Sequence, residues 1–233
     1  MELIIDNSVQ ASKPQLEGFK IHNVEFKGVE KTDITSPKDG TIYKVIVIKF
    51  ENALGTHRTT IFEPRDADYT RQPSQFGGMN PSRIDIILDL FKQLVTAVNP
   101  VMAKEMEEGK QLKLSGATYG AIWESLRNAF VENTKDYVGT KTQLKLEKNK
   151  KGEAQIPGFP LGIDKEGVLY RSSTYIGNNI GWTPKETKAM NNYVQASATP
   201  MKKQPSLDLD LNASIPEKSS PASLNLPTMG DLD

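Results

Sequence analysis

The chain has 233 residues, and its 29 basic and 29 acidic side chains give a formal net charge of +0 at pH 7. It contains no cysteine, which excludes disulfide bridges, zinc–thiolate sites and thiol nucleophiles and is typical of a protein of the reducing cytoplasm. No apolar run approaches the roughly 18 residues that a membrane-spanning helix needs, so we expect no membrane partner.

The charges are distributed unevenly along the chain. Residues 1–203 carry 28 Lys and Arg against 24 Asp and Glu, whereas residues 204–233 carry 1 against 5. A body of net charge +4 is therefore followed by a tail of net charge −4. This asymmetry keeps nucleic acid open as a partner of the body, although the total charge alone argues against it.

The first predicted elements are strands. Residues 3–5 predict a short strand, and residues 18–31 predict a longer one with a register break near Asn23. Proline and glycine in residues 36–40 predict a turn.

Residues 41–64 contain two β-type runs on either side of a short glycine-containing turn, and they predict a β-hairpin. The first arm is apolar on both faces over residues 45–48, which indicates a strand that is covered on each side. On the second arm, Arg58, Thr60 and Phe62 share one face. A cation beside an aromatic ring suits a polyanion whose bases can stack.

Helices are predicted in the middle of the chain, after a loop over residues 65–80 that has no apolar period. Residues 81–98 repeat apolar side chains every three or four positions and predict a helix that Asn80 caps. Residues 99–100 end it, and residues 101–108 and 118–130 predict two further helices. Together these helices form an insertion at residues 81–130.

Strands return in the later part of the body. Residues 140–148 alternate with period two, which places Leu144 inward and Lys141 and Lys145 outward. A basic turn follows at residues 148–152, residues 167–176 predict the last strand, and Pro184 opens a helix that ends near residue 195.

The tail, residues 196–233, is rich in proline and serine and has no aromatic residue, which predicts disorder. Residues 207–211 and 229–233 interrupt this composition by alternating acidic and apolar side chains. We expect the tail to recruit partner proteins through its acids and its apolar tip, at Asp208, Asp210, Asp231, Leu232 and Asp233.

The sequence has little that could perform catalysis. The two histidines, His22 and His57, lie in predicted strands without an acid at triad or metal-ligand spacing. The glycines at residues 77–78 precede a helix but lack the lysine and hydroxyl of a phosphate-binding loop. We therefore predict no catalytic residue, no metal and no cofactor.

The predicted nucleic-acid-binding residues combine cations, which contact phosphates, with aromatic rings, which stack on bases for roughly 1–3 kcal/mol per base. Whether Phe62, Tyr170 and Trp182 are stacking surfaces or core residues stays open at this point. The predicted set is Arg58, Phe62, Arg65, Tyr69, Arg71, Lys141, Lys145, Lys148, Lys150, Lys151, Tyr170, Arg171 and Tyr175.

A basic, β-rich body with an acidic tail resembles the single-stranded DNA-binding proteins of bacteria and their phages. In this resemblance, residues 43–62 are the curved strand pair, residues 140–175 are the later hairpin, and residues 226–227 and 231–233 stand for the family's tail tip without its terminal Phe. The resemblance implies an elaborated OB-fold Greek-key barrel over residues 1–195 and a disordered acidic tail over residues 196–233. The large helical insertion favours the phage type.

The function that this resemblance implies is sequence-tolerant binding and protection of single-stranded DNA during phage DNA replication or recombination, in the host cytoplasm. It also implies recruitment of replication or recombination proteins by the tail, autoinhibition by the tail, and self-association on DNA. Two alternatives remain: a phage structural or assembly protein without nucleic-acid binding, and a nuclease or recombination enzyme, which magnesium-dependent cleavage would reveal.

Overall fold

Alternating apolar and polar residues build much of the chain into strands, and the largest group of these forms a curled antiparallel half-barrel sheet. The computed structural model describes residues 13–75, 78–109, 114–156 and 161–198. Within these ranges the fold is mixed α+β, as predicted. The predicted strand at residues 3–5 and the tail residues Asp208, Asp210, Asp231, Leu232 and Asp233 lie outside the described residues.

The half-barrel sheet has the strand order β10-β6-β1-β2-β3, and β7 is an additional partner of β6. Strands β4 and β5 form one separate pair, and β8 and β9 form another. The strands are β1 (Lys20–Thr35), β2 (Ile42–Glu51), β3 (Thr56–Phe62), β4 (Gln72–Pro73), β5 (Met79–Asn80), β6 (Lys141–Lys148), β7 (Ala154–Gln155), β8 (Leu161–Ile163), β9 (Leu169–Arg171) and β10 (Ile176–Gly177).

The predicted hairpin is confirmed, since β2 pairs with β3 in antiparallel register from Val45 opposite Phe62 to Glu51 opposite Thr56. Residues 45–48 are all buried, as expected for a strand covered on both faces. The predicted register break in β1 lies at a different position. The pairing with β2 shifts between Phe26 and Gly28 rather than near Asn23, because Gly28 has a φ of +112° that favours glycine.

The predicted helices are confirmed as α1 (Arg83–Val98), α2 (Pro100–Glu107), α3 (Tyr119–Glu132) and α4 (Pro184–Ala198). The cap of α1 is Ser82 rather than Asn80, because Ser82 and Asp85 form a reciprocal capping box. Asn99 ends α1 and at the same time caps α2 through its side chain.

The hydrophobic core lies between one face of the sheet and helices α1 and α3. Ile46, Ile48 and Phe50 of β2 belong to it, together with Phe91 and Trp123 from the helices. Each side chain of this size contributes about 1.5–3 kcal/mol when it is fully buried. The indole Nε1 of Trp123 donates to the backbone oxygen of Lys44 at 3.2 Å, so the ring is satisfied and fixed beneath the sheet.

Two other predictions need correction. The predicted loop over residues 65–80 contains a 3-10 turn at Asp66–Tyr69 and the short pair β4–β5. The predicted strand over residues 167–176 is two strands, because β9 pairs with β8 whereas β10 joins the half-barrel sheet beside β6. No helix among the described residues is long and apolar enough to cross a membrane.

Candidate nucleic-acid interface

A cationic and aromatic surface follows strand β3 on the face opposite the core. Arg58, Thr60 and Phe62 lie opposite Lys49, Val47 and Val45 of β2, on the face that Ile46 and Ile48 do not share. We use the name β3 surface for Tyr43, Arg58, Phe62, Arg65 and Arg83.

The aromatic part of the β3 surface is a pair of exposed rings. Phe62 is 47% exposed and Tyr43 is 38% exposed. Their ring centroids lie 5.8 Å apart with the planes at 84°, an edge-to-face contact. The pair lines a shallow depression together with Arg65 and Arg83, so aromatic and cationic groups are neighbours there. Two carboxylates, Glu63 and Asp68, line the same depression.

The cations of the β3 surface differ in how far they are already compensated. Arg58 and Arg83 are exposed, and neither forms an ion pair with a residue that the structure describes. Arg65 is also exposed, but its Nε donates to Asp68 at 3.3 Å. The hydrogen bonds from Arg65 hold the pKa of the Asp68 carboxyl below its usual value. Arg58 and Arg83 are therefore the cations most available to an anionic ligand.

Beneath β3 lies a second depression, which we call the β3 cleft, with a volume of about 300 Å³. Its floor is apolar, with Ile86 and Leu90 of α1 and Ile156 after β7. Arg58 and Arg83 line it as well, and no carboxylate is among the described residues that do. The β3 surface and the β3 cleft thus share two arginines.

His57 is the titratable group of the β3 cleft. It is 2% exposed, and its Nε2 lies 3.0 Å from the hydroxyl of Thr59. Its Nδ1 has no hydrogen-bond partner among the described residues. Burial, assisted by repulsion from His22, lowers the pKa of His57 to about 4, so the imidazole is neutral at pH 7.

The protein is expected to lose stability as the pH falls from 6.5 towards 4. The unfolded chain binds a proton at His57 near pH 6.5, whereas the folded chain does so only near its pKa of about 4. The stabilisation that depends on the neutral imidazole is complete above pH 6.5. Between pH 6.5 and 4 the free energy of unfolding falls by roughly 3 kcal/mol. Urea unfolding at several pH values measures it. The His57→Gln variant should lack this part of the pH dependence, and an unchanged dependence would contradict the assignment.

Lys145 lies on the face of β6 opposite the core residues Leu144 and Leu146, as predicted, but the expectation that it is available to a ligand is wrong. Lys145 is 0% exposed, and its ammonium donates to Ser173 at 2.6 Å, to the backbone oxygen of Gly181 at 2.9 Å and to Glu186 at 2.9 Å. The rings of Tyr175 and Trp182 lie 4.7 and 5.3 Å from it. Residues 173–186 thus cover this face of β6, and Lys145 has no donor left for a phosphate.

Tyr175 is also buried, at 4% exposure, and its hydroxyl donates to Glu147 at 3.1 Å. Burial raises its pKa above the usual value for tyrosine. Because the ring packs against Lys145 inside the protein, it offers no face to a base. The expectation that Tyr175 is a binding residue is therefore not retained.

Two predicted arginines fasten distant segments to α1. Arg71 donates to Asp85 at 3.0 Å, and Arg171 donates to Asp89 at 2.7 Å. Their charges are thereby compensated, and neither residue lines the shallow depression of the β3 surface or the β3 cleft. The ring of Tyr69 stacks on that of Tyr119 with centroids 4.4 Å apart, so this face of the ring is not available to a base. Burial raises the pKa of Tyr69 to about 12.

The remaining predicted residues lie apart from the β3 surface. Lys148 lies 5.5 Å from the ring of Tyr193, and Tyr170 covers the backbone of Gly162 on the β8–β9 pair while staying exposed. Lys141 is exposed opposite Glu25 on β1. The basic turn before β7 carries two further exposed cations, Lys150 and Lys151.

Sequence reasoning missed two members of the β3 surface. Tyr43 was predictable from strand alternation. It precedes Val45 by two residues and therefore shares the face of Val45, which pairs with Phe62. Arg83 had none, since only the packing of α1 against the sheet brings the first residue of this helix beside Phe62.

Comparison of the chain with protein-family models, with curated proteins and with solved structures finds no match. Among the described residues, no group of three or more histidine, aspartate or glutamate side chains is placed to hold a metal ion.

Proposed function

We propose that this protein binds single-stranded DNA through the β3 surface, with little dependence on base sequence and without enzymatic activity. The observation that carries the proposal is the close placement of two exposed aromatic rings and exposed arginines on one face of a curled sheet. Guanidinium groups contact phosphates, and aromatic rings stack on bases of any identity. A duplex has its bases already stacked, so the combination favours a single strand.

The fold supports this proposal at a coarser level. An OB-fold is a small, curled, antiparallel barrel that binds oligonucleotides on one face of its sheet. The half-barrel sheet is curled and antiparallel, and Arg58, Thr60 and Phe62 of β3 are exposed on the face opposite the core. We therefore propose that the sheet is an elaborated OB-fold, with α1–α3 as an insertion.

The role that follows is that of a phage-type single-stranded DNA-binding protein, which coats and protects DNA during replication or recombination in the cytoplasm of a bacterial host. The acidic tail would recruit replication or recombination proteins, and copies of the chain would associate on DNA. The sequence supports this part through the opposite charges of body and tail, +4 and −4.

Replacing Phe62 with alanine is expected to weaken binding to an oligothymidylate by roughly 5- to 150-fold, because the loss of one stacked base costs about 1–3 kcal/mol. Fluorescence anisotropy of the labelled oligonucleotide measures the change. Phe62 is half exposed, so the melting temperature should be nearly unchanged. The Phe62→Tyr variant, which keeps an aromatic face, serves as the matched control and should bind like the unmodified protein.

Two outcomes of this experiment contradict the role of Phe62. Unchanged affinity in the alanine variant shows that no base stacks on the ring. Weaker binding together with a clearly lower melting temperature shows that Phe62 supports the fold instead.

A structural or assembly protein is the second candidate, and one observation favours it. Ile34 is exposed and lies opposite Tyr43 at the end of the β1–β2 pair, and the two side chains provide an apolar patch for contact between copies. Sedimentation of the protein without DNA, together with the salt dependence of oligonucleotide binding, separates the two. An assembly protein would form oligomers without showing salt-dependent DNA binding.

A further inference from the structure

Strand β3 lies at the end of the half-barrel sheet, and the described residues leave most of its outer edge without a strand partner. At its start, Thr56 donates to the backbone oxygen of Pro14 at 2.8 Å and accepts from the amide of Leu16 at 2.9 Å. Because backbone groups alternate in direction along a strand, the amides of Arg58, Thr60 and Phe62 also point outward. None of these three amides donates to a backbone oxygen in the part of the chain that the structure describes.

The free edge borders the β3 cleft. A strand added there would therefore pair with the backbone of β3 and place side chains in the cleft. On the core side it would continue the row of His57, Thr59 and Ile61, above the apolar floor of the cleft. On the opposite side it would lie beside Arg58 and Thr60. The edge therefore fits an extended segment that alternates apolar side chains with acidic ones.

The chain itself contains such a segment at residues 207–211, with the sequence Leu-Asp-Leu-Asp-Leu. In a strand its three leucines share one face and its two aspartates share the other. The leucines match the apolar floor, and the aspartates match Arg58 across the strand pair. Opposite charges at such positions contribute roughly 0.2–1 kcal/mol per pair.

The end of α4 lies close enough for this segment to reach the cleft. Tyr193 of α4 packs on Phe19 with ring centroids 5.1 Å apart. Its hydroxyl lies against Gly152, so that a Cβ added at this glycine would be 3.1 Å from it. Gly152 precedes by two residues the strand β7, which lines the cleft. The residues between Ala198 and Leu207 can span about 30 Å when extended.

We propose that residues 207–211 add as a strand to the outer edge of β3 and insert their leucines into the β3 cleft. A short tether acts at an effective concentration of order millimolar, so weak contacts suffice for docking. The docked segment covers Arg58 and Arg83. Competition with DNA for these arginines is a consequence that rests on the proposed function, whereas the docking itself does not.

Hydrogen exchange of the β3 amides, measured by NMR on the full chain without DNA, tests the docking. The amides of Arg58, Thr60 and Phe62 should exchange at least about tenfold faster in the Leu207→Ser/Leu209→Ser/Leu211→Ser variant than in the unmodified protein. The Asp208→Asn/Asp210→Asn variant should show a smaller change of the same sign. Amides of the β1–β2 pair should not change, which confirms that the body stays folded.

The matched control is the Asp231→Asn/Asp233→Asn variant, which removes the same charge from the tail tip and should leave exchange at β3 unchanged. Equal exchange in the unmodified protein and the serine variant overturns the proposal. Protection that rises with protein concentration also overturns it, because a second copy of the chain would then occupy the edge.

Discussion

Replacing Arg58 and Arg83 together with alanine is expected to weaken the binding of single-stranded DNA about 25-fold at about 0.1 M salt. Each phosphate contact on a single strand contributes about −0.7 to the slope of log affinity against log salt, so the loss of one contact costs about fivefold at this salt concentration. Both arginines are exposed and have no ion-pair partner among the described residues, so each is free to contact a phosphate. The same variant should shallow the salt slope by about 1.4.

The control for this prediction removes two cations elsewhere. Lys104 of α2 pairs with Glu108, the residue after that helix, and Lys135 pairs with Glu132, the last residue of α3. Neither lysine lines the β3 surface or the β3 cleft. The Lys104→Ala/Lys135→Ala variant should bind DNA with an affinity within about twofold of the unmodified protein. It changes only the long-range attraction between DNA and the net charge of the body. Equal losses in the two double variants would mean that net charge, and not the β3 surface, determines binding.

The Glu186→Gln variant is expected to lose about 3–5 kcal/mol of unfolding free energy at neutral pH, because it leaves the Lys145 ammonium buried without a hydrogen-bonded carboxylate. Lys145 is fully buried, and Glu186 lies 2.8 Å from its Nζ with 8% exposure. The hydroxyl of Ser173, the backbone oxygen of Gly181 and the amide oxygen of the introduced glutamine would be its charge-neutral partners. Urea unfolding measures the difference.

The pH dependence of this loss has a definite sign. Burial alone raises the pKa of Glu186, but hydrogen bonds from Lys145 and Ser173 outweigh it and hold the pKa at about 2. The unfolded carboxyl takes up a proton near pH 4.5, so the stabilisation is complete above that pH and is lost as the pH falls towards 2. The difference in unfolding free energy between the unmodified protein and the Glu186→Gln variant should therefore become smaller below pH 4.5.

Two further variants control the assignment of the buried pair. Glu132 forms an exposed ion pair with Lys135, so Glu132→Gln should cost no more than about 1 kcal/mol. The Lys145→Met/Glu186→Gln double variant removes the unpaired ammonium and should be more stable than Glu186→Gln alone. A loss in Glu186→Gln no larger than that in Glu132→Gln would contradict the role of the pair.

Local pattern was enough to predict the hairpin and the helices. The β2–β3 pair is encoded by two β-type runs and a glycine turn that are contiguous in sequence, and α1 by an apolar period of three and four. The division of residues 167–176 between two sheets was not predictable in this way, because it depends on β8 and β6, which are distant in sequence.

The candidate site was predicted less well because pairing between distant residues decides which cations are free. Lys145 alternates as an outward residue of β6, yet Glu186 and Ser173 cover it from a later segment. Arg171 is neutralised by Asp89 of α1, 82 positions away. Arg58 and Phe62 were predictable because their exposure follows from the alternation of β3 alone.

Phosphates attract surface cations whatever the fold around them, so salt dependence is the most direct measure of the proposed interface. The affinity of the full chain for a labelled oligothymidylate should fall between about 50 and 200 mM salt with a log–log slope of about −1.4 or steeper, which corresponds to at least two phosphate contacts. A duplex of equal length should bind more weakly. Affinity that is independent of salt, or tighter binding of the duplex, would contradict the proposal that the β3 surface binds single-stranded DNA.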